Sequence, residues 1–253
     1  MKRVGIINGS RIRYMWITIM ALGLVVNITY AQEITIWAEN YPPYGYEENG
    51  ELLGLSTDIV RYIIEDAGLQ VRSWKIASWK RALEETRNTP NSVLYTVVRK
   101  PDREDLFHWI GPVSDRNVYL YKLKSRTDIR VKTLEDAKKY IVGSVPDTAA
   151  TQYLESAGFE LEKVPHYQLN VLKLLEGRVD LVVGTDYGLA YIAKKIGASY
   201  SEFEAAFLLD GSKQYYIVLN KDSSPAIVKA FQNSFRKFQE SGELEKIRKQ
   251  YLQ

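Results

Sequence analysis

The sequence contains no cysteine and only two histidines in 253 residues. Without thiols there is no disulfide, thiolate metal centre, cysteine nucleophile or lipid-anchoring cysteine, so the fold must rest on an apolar core. His108 and His166 stand in no HExxH or similar ligand spacing, and ordinary surface or hydrogen-bonding roles suit both. A GxSxG elbow and a glycine-rich phosphate loop are also missing. The acidic pairs Glu47–Glu48 and Glu84–Glu85 read as solvated faces. No catalytic residue, metal or cofactor is therefore expected.

Long apolar runs are scarce too. The one candidate is "MWITIMALGLVVNI", preceded by Lys2, Arg3, Arg11 and Arg13 and followed by "TYA" before Gln32. A basic stretch, a short apolar segment and small residues at Thr29 and Ala31 predict a secretory signal peptide over residues 1–31, cleaved after Ala31. The run falls short of the roughly 20 apolar residues that a membrane span needs. An uncleaved N-terminal anchor is the alternative reading. The leader holds four basic residues and no acid, and taking four from 34 Lys and Arg leaves 30 against 31 Asp and Glu. The formal charge of +3 thus belongs to the leader. That removes the support for a nucleic-acid partner, which the interleaved "RSWKIASWKRAL" would otherwise invite. An exported chain without a lipidated cysteine is expected free in a periplasm, as a monomer.

What remains has an α/β rhythm. "ITIWAE" reads as a strand, followed by a helix from about Thr57 to Ala67, capped by Ser56 or Thr57 and stopped by Gly68. "QVRSWKI", a helix opened by Ser78 and the strand "SVLYTVV" complete a βαβαβ pattern, which predicts a parallel sheet with covering helices. After "NVYLYKLKSR" a second set begins. Thr133 is expected to cap "TLEDAKKY", "IVGSV" is a strand, and Asp147 is placed to cap "TAATQYLESA", ended by Gly158. "YQLNVLKLLEG" is helical with Leu169, Leu172 and Leu175 among its apolar positions. "DLVVGT" is a buried strand, and Gly197 closes "YGLAYIAKKIG". Ile227, Phe231, Phe235 and Phe238 recur at helical spacing, as a core stripe, before a break at Gly242.

Two segments carry chemistry. "NYPPYGYEENGELLGLSTDIV" sets three tyrosines and two prolines after a strand, a rigid aromatic wall where an α/β protein keeps its ligand. In "TVVRKPDREDLFHWIGP" a strand ends at Val98, and Arg99 and Arg103 flank a Pro-led turn. Arg103 can aim its planar fork at a carboxylate through two parallel charge-assisted bonds. The plainer reading of "RKPDRED" is a charged surface turn.

Over almost the whole mature chain the sequence resembles the family 3 solute-binding proteins, periplasmic receptors of polar amino-acid ABC importers. "YPPYGYEENGELLGLSTDIVRYIIEDAG", "KPDREDLFHWIGPV", "GRVDLVVGTDYGL" and "FRKFQESGELEKIRKQYL" carry the likeness, in the family's order. The resemblance implies the type II periplasmic binding protein fold, two α/β lobes joined by two crossings with a ligand cleft between them. Lobe one would be residues 32–117 and 211–253, and lobe two 118–210. Tyr41 and Tyr44 would line the cleft wall. Arg103 matches the arginine that grips the ligand's α-carboxylate, and Trp79 lies near the family's stacking aromatic. "SWKRAL" is similar to a subgroup with a Trp-x-Arg turn, which makes Arg81 a second cleft candidate. Asp147 and Thr148 match a turn whose helix N-terminus faces the carboxylate. The family's acidic residue for the ligand ammonium falls on Thr185, with Asp186 one step later, and Lys100 replaces a usual threonine.

The expectation is a binding protein for a small carboxylate-bearing solute, delivered to an inner-membrane ABC permease. With Arg81, Arg99 and Arg103 against one acid, the ligand should be anionic or dipolar, its amino group weakly held. A sensor or orphan receptor is one rival. The other is a dehydratase-like enzyme on the same fold, for which Asp186 or Glu104 would be the general acid.

Overall fold

The computed structural model describes residues 33–252. The predicted signal peptide and its cleavage site lie outside the described residues.

The strand β1 (Ile34–Glu39) leads to a small hairpin of β2 (Tyr46–Glu48) and β3 (Glu51–Leu53). Then come α1 (Leu55–Ala67), β4 (Val71–Ala77), α2 (Trp79–Asn88), β5 (Ser92–Val98) and, after a 3-10 turn, β6 (Phe107–Asp115). The second half runs β7 (Val118–Leu123), β8 (Val142–Ser144), α3 (Ala149–Ser156), β9 (Leu161–Lys163) and α4 (Tyr167–Leu175). It continues with β10 (Leu181–Thr185), α5 (Asp186–Lys195) and β11 (Phe203–Asp210). The chain then returns through β12 (Gln214–Asn220) to α6 (Pro225–Glu240) and α7 (Glu243–Gln250).

Two five-stranded sheets result, in the orders β4-β1-β5-β12-β6 and β11-β7-β10-β8-β9. The chain passes between them twice, from β6 to β7 and from β11 to β12. The expected parallel pattern holds for β4, β1 and β5, but β12 runs antiparallel to both of its neighbours. Its direction comes from the connectivity. β6 leaves the first sheet at its Asp115 end and β12 re-enters opposite that residue, at Gln214, so it must run back. The second sheet is mixed for the same reason, with β7 antiparallel to β10 and β11.

Each sheet is packed on both faces. Ile34 and Ile36 of β1 meet Ile59 and Ile63 of α1 and Phe231, Phe235 and Phe238 of α6, so the predicted phenylalanine stripe is buried. Trp37, Leu94 and Val218 face the other way, against Ala82 of α2. Val171, Leu174 and Leu189 cover one face of the second sheet, and Ile129 and Leu154 the other.

Several helix starts differ from expectation because their polar side chains are needed elsewhere. α1 begins at Leu55, because Ser56 and Thr57 are buried; Thr57 Oγ1 donates to the Leu53 carbonyl and meets the Tyr95 hydroxyl at 2.8 Å instead of capping. Gly54 takes the cap position at φ 126°, where an added Cβ would lie 2.5 Å from the Tyr44 carbonyl oxygen. Thr133 does accept from Asp136 N at 3.3 Å, but it opens only a short 3-10 turn. The cap of α3 is Thr148, whose Oγ1 accepts from Thr151 N at 3.1 Å, while Asp147 sits one residue early at φ 60°. In α4 the buried residues are Asn170, Val171 and Leu174, which leaves Leu169 exposed.

Candidate functional site

Open α/β sheets bind ligands beyond the carboxyl ends of their strands, where loops diverge. Here the residues after β1, β5, β8 and β10 converge on two cavities that share Tyr41, Arg116 and Ala149. The larger, about 770 Å³, is lined by Tyr41, Tyr44, Val118, Thr148, Tyr167 and Thr185 among others, drawn from both halves. The smaller, about 300 Å³, is lined by Glu39, Tyr41, Trp79, Lys100, Arg103, Arg116, Lys213 and Tyr215 among others. Together they form one cleft with an aromatic end and a cationic end.

The aromatic wall is built by the turn after β1. Tyr41 and Tyr44 stack with centroids 5.3 Å apart, and Tyr215 closes on Tyr44 at 4.7 Å. The Tyr41 and Tyr215 hydroxyls are 3.4 Å apart. Burial pushes the Tyr44 and Tyr215 hydroxyls far up, with Tyr41 as the next influence, so both stay neutral donors. Burial also raises the Glu39 carboxyl above the usual carboxylate range.

Arg103 leaves the 3-10 turn after β5. Its side chain is only 13 % exposed, and its Nε is buried with no hydrogen-bond partner. The guanidinium lies 5.5 Å from the Trp79 ring centroid and 3.7 Å from the exposed Asp102 carboxylate. An unsatisfied buried guanidinium is costly unless something completes it. A planar anion supplied from the cleft would do so.

The other predicted residues divide. Tyr41, Tyr44, Trp79, Thr148 and Thr185 line the cavities. Arg81 does not line them: it is 70 % exposed on α2, 3.9 Å from Glu85 one turn on, so its helix face points to solvent. Arg99 is drawn away by Glu104, which takes its guanidinium in a fork, and by the Trp109 and Tyr216 rings beneath it. Asp147 lines neither cavity, and Thr148 occupies the helix cap beside it. Asp186 turns out of the cleft, since the Tyr121 and Tyr200 hydroxyls both donate to its Oδ1. Thr185 Oγ1 accepts from Gly188 N at 3.2 Å, capping α5. A one-residue shift at a strand end thus leaves no carboxylate where an ammonium partner is expected.

Sequence reasoning missed Glu39, Arg116, Lys213 and Tyr215. Arg116 sits in the first crossing and Lys213 in the second, and no local motif marks either. Only the pairing of the crossings, with Arg116 N donating to the Lys213 carbonyl at 2.9 Å, brings them together. Among the described residues, no group of His, Asp or Glu is arranged to hold a metal ion. No helix there is long and apolar enough to cross a membrane.

Comparison with known proteins agrees with this geometry. The amino-acid-binding protein AabA of Dichelobacter nodosus is 22 % identical over 223 residues, covering 84 % of this chain and 85 % of its own. Among solved structures, substrate binding domain 2 of Lactococcus lactis GlnP, in an open conformation, superposes with a TM-score of 0.71 at 20 % identity, covering 87 % of this chain and 94 % of that one. A histidine kinase sensor domain with similarity to periplasmic binding proteins superposes with a TM-score of 0.61 at 18 % identity, over 87 % and 96 %. The fold is the type II periplasmic binding protein fold. Residues 34–253 match the family described as bacterial extracellular solute-binding proteins, family 3, and the chain belongs to that family.

Proposed function

We propose that this protein is an exported receptor that captures a small carboxylate-bearing solute, an amino acid or a relative, and hands it to an ABC permease of the inner membrane. The observation that carries the reading is Arg103, an enclosed guanidinium without a side-chain hydrogen bond, facing a cleft that residues of both halves line. A ligand carboxylate held there would contribute roughly 1.5–3 kcal/mol net, as hydrogen bonds to charged groups do. Lobe one is residues 32–117 and 211–253, and lobe two is 118–210. A ligand touching both stabilises their closed arrangement by its greater affinity for it. The amino-acid-binding relative supports the solute class.

No catalysis is part of this reading. Of the two acids expected to serve a dehydratase, Asp186 is engaged by two tyrosines and Glu104 by Arg99. The sensor-domain likeness favours one second reading, a receptor that signals to a membrane partner in place of transport. Both readings share the same ligand step. Thermal-shift measurements with a panel of carboxylate solutes test it: at least one should raise the melting temperature of the native protein and have no effect on Arg103→Ala. A ligand that stabilises both proteins equally would contradict the proposal.

A further inference from the structure

We infer that the cleft is built for a solute with two anionic groups, the first held by Arg103 and the second by Arg116. This rests on the reading of the cleft as the ligand site. Arg103 and Arg116 line the same cavity, with side chains 13 % and 23 % exposed. Among the described residues each guanidinium has an ion pair as its only acidic contact, Arg103 with Asp102 at 3.7 Å and Arg116 with Asp210 at 3.5 Å, and the Arg103 Nε has no hydrogen-bond partner. Each carries five N–H donors in a planar fork. Two such forks in one cleft match two planar anions better than one.

The surrounding charges support the same conclusion. Lys100, Arg103, Arg116 and Lys213 line the cationic end, and Glu39 is the one carboxylate among the described residues that lines it. Burial raises the Glu39 carboxyl, and its single charge stands against four cations. Asp210, behind the cavity, lies 3.5 Å from Arg116. It is already occupied: Oδ1 accepts from Ser212 N at 3.0 Å and Ser212 Oγ at 2.7 Å, and Oδ2 accepts from Lys213 Nζ at 2.8 Å. Asp210 therefore hydrogen-bonds Lys213 and meets Arg116 only as a longer ion pair through one terminal nitrogen, so the other Arg116 donors are left for a ligand. Asp102, beside Arg103, is 68 % exposed and screened by solvent. The end of β10 supplies no acid for a ligand ammonium, because Asp186 is held by two tyrosines and Thr185 is uncharged. That leaves Glu39 as the one carboxylate among the described residues lining the cationic end.

Arg116 also lies in the first crossing and approaches Asp210, at the start of the second. An anion on Arg116 is thus bound at the point where the two halves join. The second charge sets specificity and engages both crossings at once.

Shape-matched pairs that differ by one charge provide the test: glutamate and glutamine, aspartate and asparagine, glutarate and glutaramate, succinate and succinamate. Calorimetry on the native protein should find at least one acid bound tenfold or more tightly than its amide. Arg116→Gln should reduce the acid to the affinity of its amide and change the amide less than threefold. Arg116→Lys, which keeps the charge and loses the fork, should retain part of the preference; melting temperatures without ligand verify that both variants fold. Arg103→Ala should lose acid and amide alike. If amides bind the native protein as tightly as acids, or if Arg116→Gln keeps the preference, the second anionic subsite is wrong while the Arg103 reading stands. Binding of none of the eight solutes would overturn both.

Discussion

A guanidinium is the side chain least able to lose its charge, so an enclosed one must find a partner in the protein, in water or in a ligand. Arg103 has stacking from Trp79 and an ion pair with exposed Asp102 at 3.7 Å, but its Nε has no hydrogen-bond partner. Replacing Arg103 by Ala should leave the unfolding midpoint within a few degrees of the native protein while removing ligand response; denaturant melts with and without solute separate the two effects. Burial raises Tyr187 and Tyr200 to about 12, and the neighbouring Tyr121 hydroxyl higher still. Groups whose folded pKa lies above the unfolded value of about 10 contribute stability that is complete below pH 10 and is lost as pH rises through 12. Absorbance at 295 nm should therefore show a late tyrosine titration that coincides with unfolding; full ionisation near pH 10 with the fold intact would contradict it. Arg103 and Tyr41 were legible because each sits in a short motif with a strand end before it. Arg116 and Lys213 were not, because their meeting depends on the pairing of two distant crossings and leaves no local trace, and Glu39 ends β1 without a motif to mark it.

Among the elements, β-branched strands and apolar stripes at helical spacing were readable almost to the residue: "SVLYTVV" is β5, and the tail phenylalanines are the buried face of α6. The helix starts were less so, because Ser56, Thr57 and Asp147 satisfy cap patterns that burial or backbone conformation overrules. Gly54 shows what local pattern misses. At φ 126°, with Tyr44 and Pro43 carbonyls where a Cβ would go, it sets the angle between the aromatic turn and α1. Gly54→Ala should destabilise the protein by more than about 1 kcal/mol and weaken ligand binding by displacing Tyr44, as equilibrium denaturation and calorimetry would reveal. An unchanged midpoint would mean that the turn relaxes freely. The antiparallel β12 was likewise invisible to a βαβ count, since its direction is set by the return from the second half.

The molecule as a whole joins its halves by two crossings and by side chains that meet across the cleft mouth. Tyr46 stacks edge-on to Tyr191 at 5.4 Å, and Glu48 lies 3.9 Å from Lys195. The half-buried ring pair and the exposed ion pair are weak contacts, which on the proposed mechanism would bias closure without fixing it. Tyr46→Ala should lower ligand affinity severalfold through the closed state, with a larger radius of gyration for the liganded variant in small-angle scattering. If affinity and radius both match the native protein, the contact plays no part in closure. The central claim, that Arg103 receives the solute's carboxylate, is tested most directly by nitrogen NMR of the arginine side chains during ligand titration. The account predicts that the Arg103 Nε–H resonance shifts in step with occupancy, while exposed Arg81 stays still. A solute that saturates the protein and leaves the Arg103 resonance unmoved would contradict it.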